Sequence, residues 1–419
     1  MSRIRAATAR SVLDSRGRPT VEVELSIGAA TVRAIAPAGA STGRFEARER
    51  RDADGIGVHD ACAAFRTEIA PGLVGRDPRE QAAIDAWLCQ VDGTPTLERI
   101  GANAVIAASM AVAHAAAAAA GVPLWRDLAG AAADDLRLPV PEIQIFGGGA
   151  HAHGRIDLQD FMIVPVGARD WRAALDWSAQ IYRAAGELLR ASGRLQGVAD
   201  EGGWFPAFDG NEAALALLVQ AIERAGLRPG EEVAISIDVA ATQLHRAGRY
   251  RCVADRADFG AAAWVERLAE WSRRYPIALI EDPCAEDDLD GWRAFRALAP
   301  PCLVVGDDLV VTDAARIRAA AAERLIDSAL IKPNQAGTIS AAKAALDACH
   351  ETGIAPIVSA RSGETEDVTI VHLAVGWRAP MLKVGSIARS ERTAKWNEGL
   401  RISEQLGDPP LARPNLPTR

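Results

Sequence analysis

Three acidic residues stand at or just past the ends of separate short apolar runs: Asp238 closes AISID, Glu281 closes IALIE, and Asp307 follows CLVVG. Two lysines occupy similar places on later runs, Lys332 directly after ALI and Lys383 within MLKVG. Three carboxylates gathered at one mouth repel one another unless a cation holds them, and hard oxygen ligands from separate strands suit Mg²⁺. Capping of the following helix is the alternative for any one acid alone, but three acids in register with two lysines favour the metal. A lysine beside a divalent cation is placed to remove a proton from carbon next to a carboxylate, because the metal stabilises the charge left behind. Glu201, in ADEGGWFP, offers the opposite function, protonation of a departing hydroxyl, or else is a turn carboxylate beside two glycines. Gly39-Ala40-Ser41-Thr42-Gly43 and Arg361-Ser362-Gly363 are two patches suited to an anion, the first through backbone N–H groups and hydroxyls, the second through a bidentate guanidinium. His151, in GGGAHAHG, is either a loop histidine or a further catalytic group.

Lysine is scarce: of 47 basic residues only Lys332, Lys343, Lys383 and Lys395 are not arginine. Arginine cannot give up its proton at ordinary pH, so the lysines are marked for work that a guanidinium cannot do. Lys343 and Lys395 fall in helix-like segments and read as ordinary surface charges.

These groups need elements to carry them. From Pro141 onward eight apolar runs recur, several followed by Ala- and Arg-rich helical stretches: IQIF, FMIVPV, VAISIDVA, IALIEDP, CLVVGDD, ALIKPN, APIVSA and MLKVGS. Strand alternating with helix implies parallel pairing. From Asp238 through Glu281, Asp307, Lys332 and Ala360 to Lys383 the intervals are 43, 26, 25, 28 and 23 residues, and all but the first match a repeated βα unit. With no Gly-rich dinucleotide turn, the pattern predicts an α/β protein built on a (β/α)8 TIM-type barrel, whose active site lies at the C-terminal ends of the strands. Ahead of it, Val21–Ile27 and Thr31–Ile35 alternate as strands do, and Ala102–Ala120 reads as a helix stopped by Gly121. That helix approaches the length of a membrane span, but its weakly apolar alanines, with Asn103, Ser109 and His114, suit a buried position better.

The 419 residues have room for a barrel and a smaller module. A net charge of −8 opposes binding to nucleic acid or to an anionic membrane. Six scattered cysteines without CxxC spacing, and no secretory hydrophobic segment, suit a reducing, cytoplasmic setting. The stretch AGAAADDLRLPVP predicts a junction, giving an N-terminal α+β domain over 1–133, a barrel over 134–406 and an irregular Pro-rich tail over 407–419.

From Leu13 to Ile402 the chain resembles the enolases. The resemblance rests on LDSRGRPTVEVEL, AGASTGRFEA, DGTPTLERIGANAV, GVPLWRDLAG, DEGG, IEDP, VGDDLVVT, RSGETED and ARSERTAKWNEGLRI, in that order. It implies a modified barrel whose early strands depart from pure βα order, capped by the N-terminal domain and assembled as a homodimer or larger homo-oligomer. It also implies a Mg²⁺-dependent hydro-lyase with two ions per site; lysine paired with Mg²⁺ is already familiar from enolase-superfamily sites. By this similarity Lys332 is the base at C2 of a small anionic glycerate, and Glu201 the acid that helps the C3 hydroxyl leave. Asp238, Glu281 and Asp307 hold the first metal, and Ser41 closes over the second and the substrate. Lys383 neutralises the substrate carboxylate, Gln159 contacts it or the metal shell, and Arg361 with Ser362 grips the phosphoryl group. Asp160 is the carboxylate paired with Glu201.

Departures from the family pattern cluster near this chemistry. Asp160 replaces the usual Glu of QEF, and Ala360 the histidine of SHRSGETED. Ala38, Gly147, Phe205, Pro333 and Ala336 are further changes. Loss of the histidine opens volume beside Arg361, which predicts a substrate with a bulkier phosphorus substituent, as handled by the enolase-like carboxyphosphonoenolpyruvate synthases of phosphonate biosynthesis. The alternatives are a divergent enolase converting 2-phosphoglycerate to phosphoenolpyruvate, and a silent enolase fold kept for binding. Arg155 is a candidate for the charge that replaces the histidine.

Overall fold

The computed structural model describes residues 3–40, 42–152 and 156–417. Each of the eight apolar runs forms one barrel strand: Val140–Gly147, Asp160–Val164, Ala234–Asp238, Ile277–Glu281, Leu303–Gly306, Ser328–Ile331, Ala355–Ser359 and Met381–Gly385. Pairing of Met381 with Val140 closes the ring. The strands are buried almost throughout because their inner faces fill the barrel and their outer faces meet helices.

One strand breaks the parallel rule that periodicity predicts, and does so where the family resemblance expects irregularity. Asp160–Val164 runs antiparallel to both neighbours, with Asp160 opposite Asp238 and Val164 opposite Ala234. Reversal matters chemically. In the parallel strands the charged residues sit at or near the C-terminal end, whereas here the first residue, Asp160, reaches the same mouth. The hairpin of Leu195–Val198 and Trp204–Pro206 hangs on the first strand through Phe146 and Trp204, and its turn carries Glu201. A small meander, His245–Arg246, Arg249–Cys252 and Ala257–Gly260, follows the third strand and accounts for the long interval between Asp238 and Glu281.

Outer helices dock through apolar stripes. In Trp171–Ala191, Asp170 caps the N-terminus by accepting the Ala173 N–H at 2.8 Å, worth about 1 kcal/mol, and Trp171, Ala174, Leu175, Ile181, Ala185 and Leu189 face the core.

The N-terminal module pairs Ile4–Leu13, Pro19–Ile27 and Ala30–Ile35 as an antiparallel meander. Ala102–Ala120 lies against it, its small side chains allowing close approach, and ends at Gly121 in the left-handed conformation. Of the described helices it alone is long and apolar enough to cross a membrane, but it is packed inside the protein. Ala38 and Gly363 exchange two N–H···O bonds of 2.8 Å, fastening this module to the barrel mouth. A Cβ on Gly363 would lie 2.6 Å from Asp14 Oδ2 and 2.7 Å from the Ala38 carbonyl, so the junction needs glycine. After the last helix, Ser390–Gln405, the chain from Gly407 to Pro417 has neither helix nor strand, and the Ala412 N–H donates to the Leu138 carbonyl at 2.8 Å.

Candidate active site

Strand ends set the metal side. Asp238 and Glu281 are the last residues of their strands, Asp307 follows Gly306, and all three are buried. Lys383 places its ammonium 3.0 Å from Asp238 Oδ2, 2.6 Å from Glu281 Oε2 and 3.9 Å from Asp160 Oδ2. Lys332 pairs with Asp307. Thus the structure brings the three acids to the two lysines that sequence alone linked to them. Gln159 donates to Asp238 Oδ2 at 3.1 Å and accepts from Gln243 at 3.0 Å.

Electrostatics here follow burial and neighbours. Burial and the nearby Asp238 carboxylate push the Glu281 carboxyl well above the ordinary range. Burial opposes charge on Lys383, but Asp238 and Glu281 outweigh it and raise the ammonium well above ordinary lysine. Asp307 is lowered, because Lys332 outweighs burial, while burial and Asp307 raise its neighbour Asp308 to about 8. Asp238, Glu281 and Asp307 make a hard-oxygen donor set suited to Mg²⁺. Glu281 Oε1 is buried with no hydrogen-bond partner, which a cation would supply, and Lys383 now bridges two of the three acids. The residues therefore fit a divalent metal. A tighter carboxylate group, Asp282, Asp307 and Asp308, lies alongside. Asp282 is spent on structure: its oxygens accept the N–H groups of Asp307 and Asp308 at 2.9 and 2.8 Å.

The opposite side uses a turn and two loops. Glu201 and Asp160 line the same small, nearly filled pocket, together with Lys332, Ala360, Ser362 and Lys383. The Glu201 carbonyl accepts the Ser386 N–H at 2.8 Å, and Gly202, at φ +93°, makes the turn possible. Arg361 follows the seventh strand; it donates to Glu46 Oε2 at 2.9 Å and Asn334 Oδ1 at 3.1 Å. Arg392 donates to the Arg361 carbonyl at 2.7 Å and also to the Ser362 carbonyl, fixing the backbone of this loop.

Some expectations are corrected. The N–H groups of the Gly39–Gly43 loop are not all available to an anion, since Ala40 donates to Ser362 Oγ and Gly43 to Glu46 Oε1, both at 2.6 Å. Lys395 is no surface charge: fully buried, it lies 2.8 Å from both Glu364 Oε2 and the Thr365 carbonyl, because a buried ammonium persists only when paired. Lys343 pairs with Asp347 on its own helix, half-buried as the surface reading allows. Ser41 and Arg155 lie outside the described residues, as does the side chain of His151, whose backbone belongs to the turn Gly149–Ala152.

Sequence reasoning missed the residues that aim the others. Gln335 donates to Asp307 Oδ1 at 3.0 Å and to Glu46 Oε1 at 3.3 Å, and Thr312 donates to Gln335 Oε1 at 2.6 Å. Glu46 lies in the quoted AGASTGRFEA, but nothing local links it to Arg361, 315 residues away.

Comparison with known proteins extends across both domains. Residues 4–128 match the family model described as "Enolase, N-terminal domain", and residues 135–412 match "Enolase, C-terminal TIM barrel domain". The chain is 45% identical over 414 residues to the enolase of Acidothermus cellulolyticus, covering 97% of this chain and 96% of that one. It is likewise 45% identical over 423 residues to the enolase of Kineococcus radiotolerans, covering 97% and 95%.

Proposed function

We propose that this chain, which belongs to the enolase family and is a hydro-lyase, removes water from 2-phosphoglycerate to give phosphoenolpyruvate. The observation that carries the reading is the pairing of Lys332 with Asp307 and of Lys383 with Asp238 and Glu281, facing Glu201 across one small pocket. The relatives of similar length that bear the name enolase support this substrate over the phosphonoformyl analogue that Ala360 suggests from sequence.

In this proposal Asp238, Glu281 and Asp307 would hold Mg²⁺, and Ser41 would belong to the site of a second ion. What the bound metal supplies is neutralisation of the second negative charge that the substrate carboxylate gains when the C2 proton leaves. Lys332 takes that proton. An ammonium cannot accept one, so Lys332 acts as the base in its neutral form; a cation held by Asp307 would weaken the ion pair that keeps Lys332 charged. Glu201 donates a proton to the C3 hydroxyl, which leaves as water. Asp160 is the carboxylate that this proposal pairs with Glu201, and His151 is assigned a further catalytic role from the sequence alone. Lys383 and Gln159 orient the substrate carboxylate, and Arg361 and Ser362 hold the phosphoryl group. A homodimer or larger assembly in the cytoplasm belongs to the same proposal.

One observation favours the second substrate. Ala360 lines the pocket, and beyond Arg361 a wider cavity of about 470 Å³ is bordered by Arg16, Arg18, Arg44, Arg48 and Arg51, with Glu46 and Glu49 as the acidic members. Room and positive charge there suit the extra carboxylate of a glycerate bearing a phosphonoformyl group on its 2-oxygen. Initial rates on both compounds with Mg²⁺ decide between them. A kcat/KM higher for 2-phosphoglycerate is expected; a higher value for the phosphonoformyl compound overturns the reading and leaves carboxyphosphonoenolpyruvate synthase in its place.

A further inference from the structure

Gln144 is fully buried on the first barrel strand, at a register irregularity between Gln144 and Phe146. Both ends of its amide are used. Its oxygen accepts the Gly203 N–H at 2.8 Å, and its nitrogen donates to Asp160 Oδ1. The orientation is fixed by chemistry, since the Gly203 N–H can only donate and the Asp160 carboxylate accepts. Space is made for the amide by glycine: a Cβ on Gly203 would lie 2.4 Å from Gln144 Oε1. Gly203 ends the turn whose tip is Glu201, and Ala199 and Gly203 close that turn with an N–H···O bond of 2.8 Å.

One side chain thus ties Asp160 to the turn that carries Glu201. Asp160 also has a competing attraction, because its Oδ2 lies 3.9 Å from the Lys383 ammonium on the metal side. Aspartate at 160 is one methylene shorter than the glutamate usual in the family, so its carboxyl reaches less far from the strand. Gln144 supplies reach from the other side.

We propose that Gln144 is a positioning residue for the acid half of the reaction: it holds Asp160 toward Glu201 and away from Lys383, and sets the place of the Glu201 turn relative to the barrel. The inference rests on the reading of Glu201 as the acid. It makes no contact with the proton removal assigned to Lys332, so the two half-steps separate in experiment.

The test uses the full-length enzyme with Mg²⁺ and 2-phosphoglycerate in D₂O, following both phosphoenolpyruvate formation and exchange of the C2 hydrogen. Gln144→Asn, one methylene shorter, is expected to lower kcat for elimination about tenfold or more, with KM within about twofold and C2 exchange retained. Asp160→Glu combined with Gln144→Asn restores the total reach, and the double variant is expected to return to within about threefold of the parent. Equal loss of exchange and elimination in Gln144→Asn, unchanged elimination, or a double variant whose loss is the product of the single losses overturns the proposal. Glu201→Gln is the control: if it keeps full elimination, the reading of Glu201 fails and the proposal falls with it, whereas lost elimination there beside unaltered Gln144→Asn defeats the positioning role alone.

Discussion

On one side of the barrel mouth, Asp238, Glu281, Asp307, Lys332 and Lys383 come from or directly follow five different strands, and their side chains pair directly across the barrel. On the other side, Glu201 sits on a hairpin turn, Asp160 opens a reversed strand, and Arg361 is gripped by Glu46 from a different domain. Every member of the first group lies in or directly after a strand of the closed sheet. The second depends on intermediaries, Gln144, Gly203, Gly363 and Glu46, and it contains Asp160 and Ala360, two of the positions where the sequence departs from the enolase pattern. A site built through intermediaries can absorb a shortened side chain at one position by a longer reach at another. A strand-end charge has no such latitude, since its neighbours are fixed by sheet register.

Substitutions can break or sharpen this contrast. The largest effect is expected from Lys332→Ala, which removes the proposed base and leaves Asp307 without its ion partner: turnover falls about 10²- to 10⁴-fold in a steady-state assay, while Mg²⁺ binding, read by calorimetry, persists. Recovery of normal turnover in that variant would remove Lys332 as the base. Gly363→Ala attacks the intermediaries instead. Its methyl group meets Asp14 and the Ala38 carbonyl, so unfolding in urea is expected about 1–3 kcal/mol earlier, with a raised KM as Ala38 and Ala40 shift at the mouth. A protein of unchanged stability would show that the two domains are joined less tightly than the Ala38–Gly363 bridge implies.

Ala360→His fills volume beside Arg361. It is expected to lower the kcat/KM for the phosphonoformyl compound relative to 2-phosphoglycerate about tenfold; an unchanged ratio would mean that position 360 does not gauge the phosphorus substituent. The smallest effect concerns His114, on the buried N-terminal helix, whose Nε2 lies 2.8 Å from Thr369 Oγ1 on a barrel helix. Burial lowers its proton affinity below the ordinary value of 6.5. A depressed value means that the unfolded chain binds the proton more readily, so stability is full above that range and declines as pH falls through it. Thermal melts at pH 7.5 and 5.5 should therefore differ less for His114→Gln than for the parent.

The main residues of both groups were legible in the sequence, but the supports of the second, Gln144 and Glu46, and the reversal of its strand were not. Apolar runs ending in charge mark barrel strands because the interior excludes water and the mouth does not, so spacing alone aligned Glu281, Asp307 and Lys332. Periodicity could not disclose that Asp160–Val164 runs backwards, because an apolar strand reads alike in both directions. Nor could it separate Lys395, buried against Glu364, from a surface lysine on the same helix pattern. Gln144 carried no signal as a lone polar residue in a strand, and its two partners lie 16 and 59 residues away. Contacts of that range are set by closure of the barrel.

The separation of the two sides is tested most directly by C2 hydrogen exchange in D₂O with 2-phosphoglycerate and Mg²⁺, compared in Lys332→Ala and Glu201→Gln. Exchange that vanishes in the first and survives in the second, with elimination lost in both, is the expected result. Exchange surviving in Lys332→Ala, or vanishing equally in both, would contradict the division of labour between the strand-end lysine and the turn glutamate.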